Sequence, residues 1–219
     1  MALDIKICGL KTDAALDAAL AGGAAYVGFI FFAKSPRYID PAEAGRLRQL
    51  AVGRAKAVAV TVDATDVMLD TIVEKMRPDM LQLHGRESPE RVAELKVRYG
   101  LPAMKVFSVR TASDLVGVST YGGVADRFLF DAKPPAGSEL PGGNGIAFDW
   151  TILARLDSEV DYLLSGGLNA GNVGEALRLA NPPAIDISSG VESAPGVKEP
   201  ALIEAFFRAV RAAETSRAA

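Results

Sequence analysis

Short hydrophobic runs alternate with helical patterns along the chain from one end to the other. Each run has the length of a buried strand, and the segment after it repeats apolar residues every three or four positions, as one face of a helix does. The predicted strands are residues 3–8, 25–32, 56–62, 80–84, 103–109, 127–131, 162–165 and 184–188. The predicted helices begin near Thr12, Pro41, Thr65, Ser88, Thr111, Asp149, Asn169 and Pro200.

The order of these elements predicts the fold class. A strand followed by a helix is the unit of a parallel sheet, and eight such units favour closure into a barrel. We therefore expect an α/β protein with one (β/α)8 TIM-barrel domain over residues 1–219. An open doubly wound sheet is the structural alternative.

Individual residues sharpen the helix predictions. Ser88 and Pro89 form a hydroxyl cap followed by a proline at the first helical position, and Gly100 follows the last position. The predicted buried faces hold Met68, Ile72 and Met76 in the third helix, Val173, Leu177 and Ala180 in the seventh, and Ile203, Phe206, Phe207 and Val210 in the last.

Polar side chains recur on one face of five predicted strands. Alternate residues of a barrel strand point into the interior, and on these strands the face opposite the apolar residues is the polar one. The residues on that face are Lys6 and Cys8, Gln82 and His84, Lys105, Asp131, and Asp186 and Ser188. Burying so many polar groups is costly unless they are paired or bound to a ligand. The pattern favours an active site inside the barrel, near the C-terminal ends of the strands.

Two glycine-containing loops follow the last two predicted strands. Gly166 and Gly167 lie after the seventh strand, and Ser189 and Gly190 lie after the eighth. Glycines let backbone N–H groups approach an anion, and barrels often hold a phosphate between these two loops. We expect these four residues to bind a phosphate group.

Composition narrows the choice of partner. The formal charge is -3 with one histidine and one cysteine, which argues against nucleic acid, an anionic membrane, an internal disulfide and a bound metal. No apolar run is long enough to span a bilayer, and the N-terminus lacks the pattern of a secretory signal. We expect a cytoplasmic protein that needs no cofactor, binds a small phosphorylated molecule and is a monomer rather than a homodimer.

Specific motifs resemble those of the phosphoribosylanthranilate isomerase family of tryptophan biosynthesis, and they cover nearly the whole chain. They are residues 6–10 (KICGL), 28–31 (GFIF), 34–39 (KSPRYI), 81–85 (LQLHG), 142–145 (GGNG), 148–150 (FDW), 164–168 (LSGGL) and 186–192 (DISSGVE). The chain departs from the family at residues 144–147 (NGIA), which lack the usual hydroxyl or basic residue, and at Ala132, which follows Asp131 in place of serine or threonine.

The resemblance implies an Amadori rearrangement of N-(5-phosphoribosyl)anthranilate to 1-(2-carboxyphenylamino)-1-deoxyribulose 5-phosphate. In this reaction a general acid opens the furanose ring to a Schiff base, and a general base then removes the proton from the sugar C2. The resemblance assigns the base to Cys8 and the acid to Asp131. Lys6 is expected to favour the thiolate, and apolar neighbours are expected to keep Asp131 protonated.

The resemblance also implies a set of substrate-binding residues. Arg37 corresponds to the residue that binds the anthranilate carboxylate, and a guanidinium fork suits a two-point contact. His84, Asp186 and Lys6 are expected to complete the substrate site. Residues 134–145 are a candidate lid.

Other functions remain open at this stage. A second barrel isomerase, the histidine-pathway enzyme, rearranges a different aminoaldose phosphate but has an aspartate at the position of Cys8. A metal-dependent pentose-phosphate epimerase would require more than one histidine. A non-catalytic barrel that binds a phosphometabolite would not require an acid and a base facing each other.

Overall fold

The fold is a closed barrel of parallel strands. The computed structural model describes residues 3–135, 137–138, 142–143, 145, 147–156 and 159–218, and in these ranges eight strands close the barrel in chain order. The strands are β1 Asp4–Cys8, β2 Tyr26–Ile30, β3 Lys56–Thr61, β4 Met80–Leu83, β5 Ala103–Val109, β6 Arg127–Ala132, β7 Tyr162–Leu164 and β8 Ala184–Ile187. β1 pairs with β8, with Lys6 opposite Asp186 in the register. The predicted TIM-barrel class is confirmed.

Helices cover the outside of most of the barrel. Those in the described ranges are α1 Asp13–Gly22, α2 Pro41–Ala51, α3 Asp66–Met76, α4 Pro89–Tyr99, α5 Val173–Ala180 and α6 Pro200–Ala218. A hairpin of β9 Glu192–Ala194 and β10 Val197–Lys198 lies between β8 and α6. Across the described part of the chain, no helix combines the length and the apolar character needed to cross a membrane.

The predicted helices after β5 and β6 are 3-10 turns instead of α-helices. Ala112–Leu115 and Val118–Tyr121 follow β5, and Trp150–Arg155 follows Asp149. The Asp114 carboxylate accepts hydrogen bonds from the backbone N–H groups of Arg110 and Thr111 and closes a tight turn. Glycines at positions 117, 122 and 123 then disfavour a longer helix.

Two further details of the helix predictions are wrong. α5 begins after Asn172 and not at Asn169, because the Asn169 amide oxygen accepts a hydrogen bond from Gly171 N in a local turn. In α3 the buried face holds Leu69 with Ile72 and Met76. Met68 is 41% exposed, because it lies one position off that face.

The barrel interior and the layer under the helices form two separate hydrophobic clusters. The interior cluster consists of Cys8, Tyr26, Val58, Val60, Met80, Met104, Val106, Leu129, Leu163 and Ala184. This assignment corrects the prediction that Lys105 faces the interior: its neighbours Met104 and Val106 do so instead. Lys105 points outward, and its Nζ lies 2.8 Å from Glu87 Oε2 and 2.7 Å from the Gly85 carbonyl oxygen. The alternation along β5 was correct, but the polar side is the outer one.

Candidate active site

A cleft opens at the C-terminal end of the barrel. It contains about 810 Å³ of empty space, part of it open to solvent. The sequence-predicted residues on its wall are Cys8, Arg37, His84, Asp131, Gly166, Gly167, Asp186 and Ser189. Lys6 and Gly190 do not line it. Among the described residues, no cluster of His, Cys, Asp or Glu is arranged to hold a metal ion.

Lys6 lies beneath the cleft and not on its wall. Its side chain is fully buried, and its Nζ lies 2.8 Å from Asp186 Oδ1. The Ser165 hydroxyl donates a 3.0 Å hydrogen bond to the other carboxylate oxygen, Asp186 Oδ2. Burial alone would lower the pKa of Lys6, but the charge of Asp186, with a smaller contribution from Cys8, raises it to about 12. The expected contact between Lys6 and substrate is therefore corrected: Lys6 is a buried cation that supports Asp186 and Cys8.

Cys8 ends β1 beside this ion pair. Burial raises the pKa of the thiol, and the Lys6 ammonium opposes this effect without overcoming it. The thiol is therefore protonated at neutral pH before a ligand binds, although Lys6 acts in the predicted direction. Gly28 on β2 makes the arrangement possible, because a Cβ there would lie 3.0 Å from Cys8 Sγ and 3.1 Å from Lys6 Nζ. A glycine inside a strand was the sequence signal for this close approach.

Asp131 lies near the end of β6. Its Oδ1 accepts a 2.8 Å hydrogen bond from the backbone N–H of Ala132. Burial, with a further contribution from the Asp186 carboxylate, raises the pKa of Asp131 to about 7. A carboxyl group with this pKa can hold a proton near neutral pH and also release it, as a general acid must.

His84 follows β4 and faces Asp131 across the cleft. Its Nε2 lies 3.6 Å from Asp131 Oδ2, too far for a hydrogen bond, and the described residues give this buried nitrogen no other partner. Burial lowers the pKa of His84 to about 4, so the imidazole is neutral at physiological pH. It can therefore donate or accept a hydrogen bond without adding charge to the site.

Arg37 is held by a buried ion-pair network that the sequence did not reveal. Its Nε and Nη2 each lie 2.8 Å from one oxygen of Glu192, and Nη2 also donates to the Gly143 carbonyl oxygen at 3.2 Å. Lys198 Nζ lies 2.5 Å from Glu192 Oε1. The Arg37 hydrogen bond and the Lys198 charge outweigh the effect of burial and hold the pKa of Glu192 below its usual value.

This network changes the predicted mode of carboxylate binding. The Nε–Nη2 fork of Arg37 is occupied by Glu192, so a ligand cannot use it for a two-point contact. Arg37 Nη1 has no hydrogen-bond partner among the described residues. It lies beside Gly143, where a Cβ would come within 2.5 Å of it. The Glu192 position was visible in the sequence motif, but its role depends on a contact across 155 residues of chain.

The two predicted phosphate loops lie together at one end of the cleft. Gly166 and Gly167 have φ angles of 88° and 67°, which favour glycine. The backbone N–H groups of Gly166, Gly167, Ser189 and Gly190 form no hydrogen bond with any residue that the structure describes. Gly190 lies behind the wall, since a Cβ there would collide with the carbonyl oxygen of Leu168.

The candidate lid falls partly outside the described residues. Residues 136, 139–141 and 144 of the lid lie outside the described ranges. Residue 146, in the segment that departs from the family pattern, lies outside them as well. Of the described part, Gly142 lies over Asp131 and His84, and Gly143 lies over Arg37. A side chain at either glycine would press on these groups.

Comparisons with known proteins agree with this geometry. Residues 5–209 match the family model described as N-(5'phosphoribosyl)anthranilate (PRA) isomerase. The N-(5'-phosphoribosyl)anthranilate isomerase of Mesorhizobium japonicum is 75% identical over 219 residues, which is 100% of each chain. The phosphoribosyl anthranilate isomerase structure from Thermotoga maritima superposes with a TM-score of 0.85 at 31% identity, covering 96% of this chain and 100% of that one.

A third similar protein was solved with a ligand. This phosphoribosyl anthranilate isomerase is in complex with reduced 1-(o-carboxyphenylamino)-1-deoxyribulose 5-phosphate, and it superposes with a TM-score of 0.81 at 28% identity over 96% of this chain and 100% of that one. The family model and the relatives span almost the entire sequence. The chain belongs to the N-(5'-phosphoribosyl)anthranilate isomerase family.

Proposed function

We propose that this protein isomerises N-(5'-phosphoribosyl)anthranilate in tryptophan biosynthesis, with Asp131 as general acid and Cys8 as general base. One observation carries the assignment: both side chains face the same cleft from separate strands, β6 and β1. No other cysteine exists in the chain. The neighbouring His84 is neutral and makes no hydrogen bond to Asp131, so the carboxyl proton is available to a ligand.

The acid acts first in this scheme. Asp131 transfers its proton to the ring oxygen of the ribosyl group, the bond from that oxygen to C1 breaks, and the nitrogen lone pair forms a protonated Schiff base. The pKa of about 7 at Asp131 suits a group that must give up a proton near neutral pH.

The base acts on the product of that first step. The positive Schiff base and the Lys6 ammonium favour ionisation of the Cys8 thiol, which releases its proton to water in the solvent-open cleft. The thiolate takes the proton from C2, the C–H electrons form the C1–C2 double bond, and the C1–N π electrons return to nitrogen. The resulting enolamine gains a proton at C1 and loses the one on its C2 hydroxyl, which gives the ketone. The order explains how a thiol with a raised pKa serves as a base.

The anthranilate carboxylate is proposed to bind Arg37. Arg37 and Lys198 are two cations that share one carboxylate, Glu192, so the described residues leave one positive charge of this network uncompensated. The remaining N–H groups of Arg37 Nη1 lie at the cleft, where an anionic ligand group would balance that charge. A single-edge contact through Nη1 replaces the two-point contact expected from the sequence.

The phosphate is proposed to bind at the other end of the cleft. The N–H groups of Gly166, Gly167 and Ser189, which have no partner in the described ranges, supply donors on the cleft wall. Gly190 is proposed to contribute only its backbone N–H, since its Cα faces Leu168. Anion binding by backbone donors between the last two loops is common in barrels.

Turnover of freshly generated phosphoribosylanthranilate tests the function directly. The purified protein should remove the fluorescence of this substrate and accumulate the aminoketone. It should not rearrange the aminoaldose phosphate of the histidine pathway at a comparable rate. Binding of the first compound without turnover would instead support a non-catalytic phosphometabolite-binding barrel.

Localisation and oligomeric state complete the proposed function. We propose a cytoplasmic monomer whose partner is its small substrate and not nucleic acid. The exposed apolar side chains are spread over separate parts of the chain, such as Val67 on α3, Val97 on α4 and Val116 after the 3-10 turn Ala112–Leu115. Sedimentation equilibrium should give the 23.0 kDa mass of one chain; a value twice as large would contradict the monomer.

A further inference from the structure

Gln82 is a buried polar side chain on the cleft wall, and it has no role in the proposed reaction scheme. It lies on β4, opposite Val60 of β3 and Met104 of β5 in the strand register. Its side chain is 1% exposed and lines the cleft together with Cys8 and Asp131.

The carbonyl end of the Gln82 amide is unsatisfied within the described part of the chain. Its Oε1 is buried without a hydrogen-bond partner, and no hydrogen bond from the described part of the chain reaches either end of the amide. An unsatisfied buried amide destabilises the free protein compared with an apolar side chain of the same shape. Thr61 Oγ1 is also buried without a partner among the described residues, but it lies off the cleft, whereas Gln82 is on the cleft wall, where a ligand can reach it. The amide therefore fits a partner that arrives in the cleft.

The chemistry of the amide limits what that partner can be. A carboxylate or a phosphate only accepts hydrogen bonds, and both have better positions at Arg37 and at the glycine loops. A hydroxyl group both donates and accepts, so it can satisfy the carbonyl and the NH₂ ends of one amide.

We propose that Gln82 binds a hydroxyl group of the ribosyl part of the substrate and is a specificity-determining residue. This inference rests on the proposed function. The ribosyl group joins the anthranilate to the phosphate, so it must lie over Cys8 and Asp131, where Gln82 shares the wall. The amide thereby holds the sugar carbons in register with the acid and the base.

Replacement of Gln82 by methionine tests the proposal, because it keeps the length of the side chain and removes the amide. The variant should be more stable than the parent, with a Tm about 2–4 °C higher, since an unsatisfied buried group is gone. It should bind reduced 1-(o-carboxyphenylamino)-1-deoxyribulose 5-phosphate about 10- to 100-fold more weakly and lose kcat/KM by a similar factor.

Thr61→Val is the matched control. Thr61 lies on the neighbouring strand β3, its Oγ1 is also buried without a partner in the described residues, and the described cleft wall includes Val60 and Val62 but not Thr61. This variant should also gain stability but keep the parent affinity and turnover.

The outcomes separate the two proposals. Failure of the parent protein to turn over phosphoribosylanthranilate would refute the proposed function, whatever the variants do. If the parent is active, unchanged affinity in Gln82→Met overturns the inference. Loss of stability or failure of that variant to fold also overturns it, because Gln82 would then be a structural residue.

Discussion

Polar side chains at the cleft fall into two groups that differ in how they are satisfied before a ligand binds. The paired group consists of Lys6, Arg37, Ser165, Asp186, Glu192 and Lys198, which are joined by ion pairs and hydrogen bonds. The open group consists of Gln82, His84 and Asp131, which have no side-chain partner among the described residues. Most members of both groups are buried, so the groups differ mainly in their partners and not in their depth.

The two groups also differ in their charge. The paired group holds fixed charges in place, as the pKa of about 12 at Lys6 indicates. The open group is close to neutral, with a pKa of about 7 at Asp131 and about 4 at His84. Fixed charges orient the ends of a substrate and the base, whereas neutral unpaired groups remain free to exchange protons and hydrogen bonds with it.

Asp131→Asn, in the open group, should give the largest loss of activity. The amide keeps the shape of the side chain but cannot deliver a proton to the ring oxygen. We expect kcat to fall about 10²–10⁴-fold with KM within a few-fold, measured by fluorescence loss of the substrate. Near-normal kcat in this variant would mean that another group opens the ring.

Cys8→Ala should reduce kcat by a comparable factor of about 10²–10⁴ while leaving KM nearly unchanged. Proton removal from C2 should then limit the rate, so substrate deuterated at C2 should show a larger isotope effect in this variant than in Asp131→Asn. If Cys8→Ala keeps normal kcat, the thiol is a packing residue and the base must be Asp186 or His84.

Lys105→Met tests whether a buried ion pair outside the cleft serves stability alone. Removing Lys105 leaves Glu87 buried and without its cation, which should cost about 3–5 kcal/mol of unfolding free energy in a denaturant titration. The double variant Lys105→Met, Glu87→Gln should recover most of that loss. Turnover per folded molecule should stay within a few-fold of the parent, and a loss comparable to Asp131→Asn would place Lys105 in the mechanism.

The sequence predicted the barrel well because each strand and helix carries its own local pattern. It also predicted that Cys8, Asp131 and Asp186 line one cleft, because the alternation of side chains along parallel strands determines which residues face the barrel interior. It failed for Lys105, since the apolar residues on both sides of it fit either face of β5. It also gave no role to Glu192, whose partner Arg37 lies 155 residues away, and such long-range pairs have no periodicity in a single chain.

Arg37→Ala, in the paired group, should weaken substrate binding and not the chemical step. The carboxylate contact exists in both the ground state and the transition state, so KM should rise about 10- to 100-fold while kcat changes little. Arg37→Lys keeps the charge but not the guanidinium fork on Glu192, and it should give an intermediate KM. Loss of turnover in Arg37→Ala at saturating substrate would contradict a binding role.

The pH dependence of stability tests the raised pKa of Asp131 without any substrate. Because the folded-state pKa of Asp131 is raised from 3.8 to about 7, the folded protein binds this proton more tightly than the unfolded chain. The contribution of Asp131 is therefore fully present below about pH 4 and is lost as pH rises to about 7. The unfolding free energy of the parent minus that of Asp131→Asn should fall across this range; a flat difference would contradict the raised pKa.

The most direct test of the difference between the two groups is a crystal structure of this protein with reduced 1-(o-carboxyphenylamino)-1-deoxyribulose 5-phosphate. We expect the carboxylate at Arg37 Nη1, the phosphate at the N–H groups of the two glycine loops, and a sugar hydroxyl at Gln82. The Lys6–Asp186 and Arg37–Glu192 pairs should remain intact. A ligand bound with its phosphate at Arg37, or one that breaks those ion pairs while leaving Gln82 and Asp131 without contacts, would contradict the account.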